Sequence, residues 1–139
     1  LANLLASGEY TINHINRAIY RQAHQTAARY PAEQSEFAAC GLTEQWLDGF
    51  SAPFVAEATV QIGMQLRQHM PLEINATHLV IGEIVALTLP DAALRSDGSL
   101  DLASAGTVAL SGLDEYLQGS RLARLSYAKP DQPLREIEE

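Results

Sequence analysis

The chain has 139 residues, of which 47% are hydrophobic and 19% are charged, so it carries enough apolar side chains to close the core of one domain. Nine Lys and Arg side chains against seventeen Asp and Glu give a formal net charge of −8. The basic residues are scattered, which excludes a surface of the kind that binds nucleic acid. An anionic ligand would need local donors, because the overall field opposes it.

The single cysteine, Cys40, cannot form an intrachain disulfide, and its apolar neighbours predict a buried thiol. No apolar run approaches the roughly twenty residues of a membrane span, and the amino terminus lacks a basic region followed by an apolar stretch. We therefore expect a cytoplasmic protein with no membrane segment. The sequence opens on Leu1, within an expected helix end, and we expect further residues upstream of it.

The first third of the chain predicts three helices and a strand. In chain order these are a helix over 1–6, a strand over 9–14, a helix over 17–27, a loop over 26–34 and a helix over 35–40. Gly8 is expected to close the first helix, because glycine tolerates the left-handed conformation, and Asn16 is a plausible cap for the second. Pro31 disfavours helical geometry at the residue before it, which predicts the polar loop.

The middle of the chain predicts two long strands. Residues 41–58 have no clean period, which indicates a connection with one irregular helical turn. Apolar and polar side chains alternate over 60–67, as in a strand with one buried face. After a turn that holds Pro71 and Thr77, residues 78–89 are apolar on both faces and predict a central, doubly buried strand. Such strands form an antiparallel pair, and a barrel is the usual way to avoid open edges.

The last third of the chain predicts shorter elements. Pro90 ends the second long strand, and residues 107–110 read as a brief apolar strand. The apolar spacing within 113–117 favours a helix face. Two prolines and three glutamates predict that residues 130–139 form an extended tail.

The four histidines, His14, His24, His69 and His78, invite a metal hypothesis. None of them has the spacing from another His, Cys or clustered carboxylate that zinc sites use, so we predict no metal site. No Gly-rich phosphate loop occurs, and Ser111 lacks the glycine that a nucleophile elbow needs two residues earlier. We accordingly predict no catalytic side chain.

The polar loop before the third helix is the segment richest in chemistry. Thr26, Arg29 and Ser35 lie within a dozen residues and next to a helix start, a combination suited to binding an anion. The alternative is structural: Arg29 pairs with Glu33 or Glu36 on the surface, and Ser35 only caps a helix. Spacing alone leaves both interpretations open.

Three residues in the predicted strands have both a functional and a structural interpretation. The amide of Asn13 could meet the polar edge of a ligand, or Asn13 could simply end a strand near a turn. Gly82 permits close backbone approach, and Glu83 is either a solvent residue at a strand edge or a buried acid with a partner. We favour packing for Gly82 and Glu83.

Six segments, taken in order, resemble one known family. They are SGEYTINHI (7–15), ARYPAEQSEFAACGL (28–42), SAPFVAEATVQIGMQL (51–66), HLVIGEIV (78–85), SDGSLDL (96–102) and VALSGLDEY (108–116). Their order and spacing are similar to those of the flavin reductase-like (flavoredoxin) family, which has an FMN-binding split barrel. Its members typically carry Val-Asn-Leu, Ser-Glu-Phe, Gly-Leu, Leu-Val-Ile-Gly-Glu-Val and Arg-Leu-Gly-Gly-x-Tyr elements.

The resemblance implies a mainly β fold, namely an antiparallel, Greek-key-like split β-barrel with peripheral helices. Residues 1–129 would be the carboxyl-terminal two-thirds of a single flavin-binding domain, and 130–139 a tail. The family resemblance also implies a homodimer with FMN held near the dimer interface. The segment upstream of this chain would then supply the first barrel strands and several flavin contacts.

The resemblance further implies a set of cofactor-binding positions. These are Asn13, Thr26, Ala27, Arg29, Ser35, Gly112 and Tyr116. Two positions depart from the family pattern: His14 stands in place of the usual leucine, and residues 111–113 replace part of Arg-Leu-Gly-Gly. The contacts on the nicotinamide side are the ones that these departures affect.

The function that the resemblance implies is hydride transfer from NAD(P)H to FMN, with the flavin carrying the chemistry and the protein supplying position and exclusion of water. The alternative is an FMN-binding electron-transfer or sensing module without efficient NAD(P)H turnover. A third hypothesis is a barrel that serves only as a dimerisation scaffold, since fold alone does not fix function.

Overall fold

The computed structural model describes residues 1–137, which are mostly strand with a few short helices. In chain order the elements are α1 (Ala2–Ser7), β1 (Glu9–Asn13), α2 (Tyr20–Gln25), α3 (Glu36–Cys40), β2 (Glu44–Gln45), β3 (Phe54–Val55), β4 (Gln61–Leu72), β5 (Thr77–Thr88), a 3₁₀ turn (Asp91–Ala93), β6 (Val108–Ser111) and β7 (Glu115–Gln118). None of the helices within residues 1–137 is long and apolar enough to cross a membrane.

A three-stranded sheet in the order β1-β4-β5 organises the chain. β4 pairs antiparallel with β1 on one side and with β5 on the other. The predicted antiparallel pairing of the two long strands is therefore confirmed, as is the mainly β class. The sheets within residues 1–137 stay open, and none closes on itself into a cylinder.

β5 is an edge strand, which corrects the expectation of a central strand buried on both sides. Ile81 is 44% exposed and Ile84 59%, and these two residues point to opposite faces of the sheet because their separation is odd. The apolar pattern predicted burial, but the described part of the chain leaves most side chains of β5 exposed. What the pattern predicts correctly is the strand itself.

Local backbone geometry changes several predicted boundaries. α2 starts only at Tyr20, and the side-chain Oδ1 of Asn16 accepts a bond from the Ala18 N–H (2.9 Å), which forms a local turn instead of a cap of this helix. Pro71 and Thr77 belong to the long strands and not to the turn between them. Gly8 does close α1, with φ at 71°.

Two further predictions of element type are wrong. The connection expected over 41–58 contains β2 and β3, which pair antiparallel, instead of a helical turn. The helix expected over 113–117 is strand β7, which pairs with β6 in a hairpin. Gly112, with φ at 61°, lies in the turn that reverses the chain, so the apolar residues that follow enter a strand.

The small core lies where β4 begins and β5 ends. Val60, Ala93 and Ala105 are fully buried, and Ile62, Leu89 and Leu100 pack against them. Towards the carboxyl end the chain turns back on itself: the Ser126 N–H donates to the Arg135 carbonyl (2.8 Å), and Leu125 bridges Glu136. The part of the expected tail up to Ile137 is thus paired with the segment before it, while residues 138 and 139 lie outside the described range.

Candidate functional site

Helix α2 forms a wall that is shared by two cavities. A cavity of about 220 Å³ lies on one side, between α2 and the end of β1, and includes Asn13 and Thr26 in its lining. A cleft of about 300 Å³ lies against the β6–β7 hairpin and includes Tyr116. Residues from four segments of the chain therefore meet around this short helix.

The polar groups of the first cavity are used within the protein. The side-chain Oδ1 of Asn13 accepts from the Val55 N–H, and its Nδ2 donates to the Thr11 hydroxyl, both at 3.0 Å. The Thr26 hydroxyl donates to the Ala23 carbonyl at 2.7 Å. Asn13 thus attaches β3 to the edge of β1, which is a structural role in addition to any contact with a ligand.

The second cavity is an aromatic cleft. The Tyr116 ring lies 5.5 Å from the Tyr20 ring and 5.8 Å from the His24 ring, measured between centroids. The Tyr116 hydroxyl and Nδ1 of His24 are within hydrogen-bonding distance at 3.3 Å. The Arg21 guanidinium lies 5.3 Å from the Tyr20 centroid, so one cation stacks on the cleft, and Asp114 forms part of its rim.

The loop between α2 and α3 carries the remaining predicted residues. Ala27, Arg29 and Ser35 are all exposed, and none of them is among the residues that line the two cavities. Within residues 1–137 the Arg29 guanidinium makes no ion pair or hydrogen bond, so the pairing with Glu33 or Glu36, one of the two interpretations left open by the sequence, is absent from the described part of the chain.

Tyr30 anchors this loop at both ends. Its hydroxyl accepts from the Gln25 amide (3.1 Å) at the end of α2 and from the Cys40 thiol (3.6 Å) at the end of α3. The contact with Cys40 raises the pKa of Tyr30, and the bond from Gln25 opposes that shift. Cys40 is half-buried, less than its neighbours predicted, because its thiol reaches this hydroxyl at the loop.

Ser35 and Gly112 have local roles. Ser35 precedes α3 with an extended backbone, but its hydroxyl makes no cap bond and instead donates to the Glu44 carboxylate at 3.4 Å. Gly112 lies in the β6–β7 turn, two residues before Asp114 of the aromatic cleft. The structure therefore brings Tyr116 to one side of α2, brings Asn13 and Thr26 to the other, and leaves Ser35 apart from both.

Sequence reasoning missed the part of the cleft that α2 supplies. Tyr20 and His24 are four residues apart, the spacing that puts two side chains on one helix face. That spacing was the available signal. The spacing alone did not indicate the cleft, because Tyr116 was predicted to lie on a helix and not on the strand that turns its side chain towards α2.

Two larger grooves lie elsewhere. One of about 460 Å³ runs between Arg95 and Arg121, and another of about 630 Å³ runs beside α1 and Trp46. Arg95 is already paired with Asp101 at 2.7 Å, and the charged side chains that line the second groove are two carboxylates, Glu9 and Glu36, which disfavour an anion. The α2 cleft is smaller, but it combines two tyrosines and a histidine with a cation, Arg21, and no basic side chain is among the described residues that line the groove beside α1.

This arrangement suits a flat aromatic ligand that carries an anionic group. Two tyrosine rings and an imidazole can contact the face or edge of a planar ring, and a guanidinium on an anchored loop can pair with a phosphate. A complete small-molecule site typically has a volume of roughly 300–1,000 Å³. The cavity beside β1 is smaller than this, and the aromatic cleft is at the lower limit. By volume, each α2 cavity could hold only part of a ligand of that size.

Comparison with solved structures defines the class of protein. The chain superposes with a TM-score of 0.88 and 51% identity on a candidate flavin reductase with a split barrel domain from Shewanella frigidimarina, over 91% of this chain and 64% of that one. It matches the flavoredoxin of Desulfovibrio vulgaris with a TM-score of 0.70 and 27% identity, over 94% and 67% of the two chains. The fold is that of the split-barrel flavin reductases.

A likeness in fold alone links the chain to an FMN-binding domain of a flavin reductase-like enzyme from Shewanella baltica, with a TM-score of 0.65 and 16% identity over 86% and 65% of the two chains. The model of the flavin reductase like domain matches residues 1–104 of this sequence. The chain belongs to the flavin reductase like domain family. It spans 64% of the length of the Shewanella frigidimarina protein.

Proposed function

We propose that this chain binds FMN and that the whole protein transfers hydride from NAD(P)H to that flavin. The aromatic cleft formed by Tyr20, His24 and Tyr116 is the single observation that carries the proposal, because it offers the stacking surface that an isoalloxazine ring needs. Membership of a flavin-binding family supports the choice of ligand.

The residues present fit FMN chemically. Arg29 is an exposed cation on an anchored loop, and a guanidinium can donate two parallel hydrogen bonds to a phosphate. A dedicated donor is needed because the chain as a whole carries a net charge of −8. In this proposal the seven cofactor positions are Asn13, Thr26, Ala27, Arg29, Ser35, Gly112 and Tyr116.

Bound FMN would supply the hydride chemistry, accepting two electrons and a proton from the nicotinamide. The chain's own residues would position the ring and keep water away from it. Tyr116 and Tyr20 would hold the ring plane. The contact between His24 and Tyr116 would fix the tyrosine against the helix, and Gly112 would allow the hairpin turn that places Tyr116 there.

An anaerobic reduction experiment tests the proposal. Purified protein is mixed with one equivalent of FMN and then with NADH or NADPH, and the flavin absorbance near 450 nm is followed by stopped flow, a wavelength set by the flavin and not by the protein. We expect rapid bleaching that depends on protein. Bleaching no faster than with free FMN and NAD(P)H would contradict hydride transfer.

The alternative is an FMN-binding electron-transfer or sensing module. Likeness to a flavoredoxin agrees with such a role. Retained yellow colour without NAD(P)H oxidation, together with reduction by dithionite, would favour the module over the reductase.

A further inference from the structure

The hairpin of β4 and β5 brings two histidines together that are nine positions apart in sequence. Nε2 of His69 and Nδ1 of His78 are 2.9 Å apart, and the two ring centroids are 5.0 Å apart with an angle of 29° between the planes. This pair is separate from the α2 cavities. His69 is eight residues along β4 from Gln61, the register partner of Asn13, which corresponds to roughly 26 Å of strand.

The strand register fixes the two imidazoles on one face of the sheet. His69 is opposite Val80, and His78 is opposite Pro71, so the histidines are diagonal neighbours whose side chains point the same way. The ladder is regular from Gln68 to Leu72, which keeps the two backbones at a constant separation. The pair is therefore held by the hairpin and does not depend on a flexible loop.

We propose that His69 and His78 together chelate one divalent transition-metal ion of the Cu²⁺ or Ni²⁺ type. Neutral imidazole nitrogens are the protein ligands that these ions prefer. With metal–nitrogen bonds of about 2.0–2.1 Å, two ligands at a right angle are separated by about 2.9 Å. The separation of the two ring nitrogens equals this value, and a right angle is the angle of the tetragonal sites that Cu²⁺ and Ni²⁺ adopt.

Exposure and charge both favour such a site. His78 is exposed and His69 is half-buried, so solution ions reach the ring nitrogens without any rearrangement of the core. The net charge of −8 raises the local concentration of cations around the chain. Within residues 1–137 no group of three or more His, Cys, Asp or Glu side chains is placed to hold a metal, so water completes the coordination of a two-histidine site.

The competing account is a hydrogen bond between two neutral rings with no metal involved, and calorimetric titration separates the two. Tag-free protein, freed of metal by dialysis against a chelator that is then removed, is titrated with NiCl₂. We expect one Ni²⁺ per chain. His69→Gln and His78→Gln should each weaken binding by roughly 10²-fold, because each variant removes one arm of the chelate.

His24→Gln is the matched control, since it removes an exposed histidine of α2 whose ring contacts Tyr116 and neither histidine of the pair. It should leave Ni²⁺ affinity unchanged. Thermal melts give a second reading: Ni²⁺ should raise the Tm of the wild-type protein and of His24→Gln, but not of His78→Gln. Circular dichroism of each variant establishes that it is folded.

Electron paramagnetic resonance with one equivalent of Cu²⁺ identifies the ligands directly. Hyperfine coupling to two imidazole nitrogens in the wild type, and to fewer in His78→Gln, is the expected result. Equal Ni²⁺ affinity in the wild type and in both histidine variants, or a Cu²⁺ spectrum that is the same with and without His78, would overturn the proposal. The outcome does not depend on whether the chain binds flavin.

Discussion

The Arg29 guanidinium is exposed on a loop that Tyr30 ties to the ends of both flanking helices. If it meets the FMN phosphate, Arg29→Ala removes a charge-assisted pair of hydrogen bonds and should weaken FMN binding by more than about tenfold. Fluorescence titration of FMN measures the change. The sequence left open whether this arginine pairs with a carboxylate on the surface. Because Arg29 makes no ion pair with Glu33 or Glu36, the substitution tests its contact with the phosphate directly.

Arg135→Ala is the control for the Arg29 experiment. Arg135 is also exposed, its backbone pairs with Ser126 in the carboxyl-terminal segment, and it is not among the residues that line the two α2 cavities. Removing its charge should leave FMN affinity unchanged. If both variants weaken binding equally, the effect is one of net charge, and if neither does, Arg29 has no role at the phosphate.

Gly82 provides a stability test within the sheet. The Tyr10 ring crosses from β1 and covers this glycine, so that a Cβ at Gly82 would meet Cζ of Tyr10 at 2.9 Å and Cε of Met64 at 3.1 Å. Gly82→Ala should therefore lower the free energy of unfolding by about 1–3 kcal/mol. Urea denaturation of the variant measures this cost.

Two controls isolate the Tyr10 contact as the cause. Gly119→Ala should be neutral, because nothing lies within 4 Å of its added Cβ and its φ is not in the left-handed region. In a Tyr10→Ala background the Gly82→Ala cost should shrink markedly, as expected when two residues in contact are coupled. Equal costs in the two backgrounds would mean that the clash with Tyr10 is not responsible.

At the scale of elements, the sequence predicted most reliably where one pattern was long. Alternation over 60–67 and the apolar run over 78–89 gave both strands of the main hairpin and their antiparallel pairing. The β6–β7 hairpin was missed because Leu113, Tyr116 and Leu117 have helical spacing, and only the turn at Gly112 overrides it. Short segments carry too few residues for periodicity to decide between helix and strand.

The exposed apolar side chains on the two faces of β5 lead to a prediction about assembly. Leu79, Ile81, Ile84, Val85 and Leu87 are each at least 44% exposed, which is a long apolar edge for a strand in water. We propose that a second copy of this protein covers it, in line with the homodimer that the family resemblance implies. Ile84→Glu should then shift the protein from dimer to monomer in size-exclusion chromatography with light scattering.

Thr88→Glu, also exposed and at the end of β5, is the matched control for that shift. It adds the same charge outside the apolar stretch and should leave the dimer intact. A wild-type protein that is monomeric at every accessible concentration would contradict the assembly proposal. In that case a different polypeptide segment would have to cover β5.

At the scale of the whole molecule, four carboxylates make the fold sensitive to acid. Hydrogen bonds from Ser51 lower the pKa of Glu9, and bonding by Thr43 lowers that of Glu57. Bonds from Ser99, reinforced by Arg124, lower the pKa of Asp97, and the Ser104 N–H lowers that of Asp101. In each case the folded state holds the proton less tightly than the unfolded state.

The sign of the pH effect follows from these shifts. The stability that each carboxylate contributes is fully present above its unfolded pKa of about 4 and is lost as the pH falls towards the folded value. The urea midpoint should therefore decrease between pH 5 and pH 2.5. Asp97→Asn should flatten that decrease, and a midpoint that is constant or rises over this range would contradict the account.

At the scale of the whole molecule, the sequence predicted only part of the candidate site. The family pattern indicated Tyr116 and the loop with Arg29. The contribution of α2 to the cleft depends on long-range contacts: His24 is 92 positions from Tyr116 in the sequence, and Tyr20 is 96 positions from it. Such contacts arise from tertiary packing, which no local pattern encodes. The histidine pair on the main hairpin escaped notice for the same reason, since only the strand register joins it.

The measurement that tests the central claim most directly is quenching of FMN fluorescence by the purified protein. Stacking of the flavin on the α2 cleft predicts saturable quenching with one FMN per chain, weakened at least about tenfold in Tyr116→Leu because the variant removes the aromatic surface. Unquenched FMN fluorescence in excess protein, or identical titrations for the wild type and Tyr116→Leu, would contradict the assignment of the flavin to this cleft.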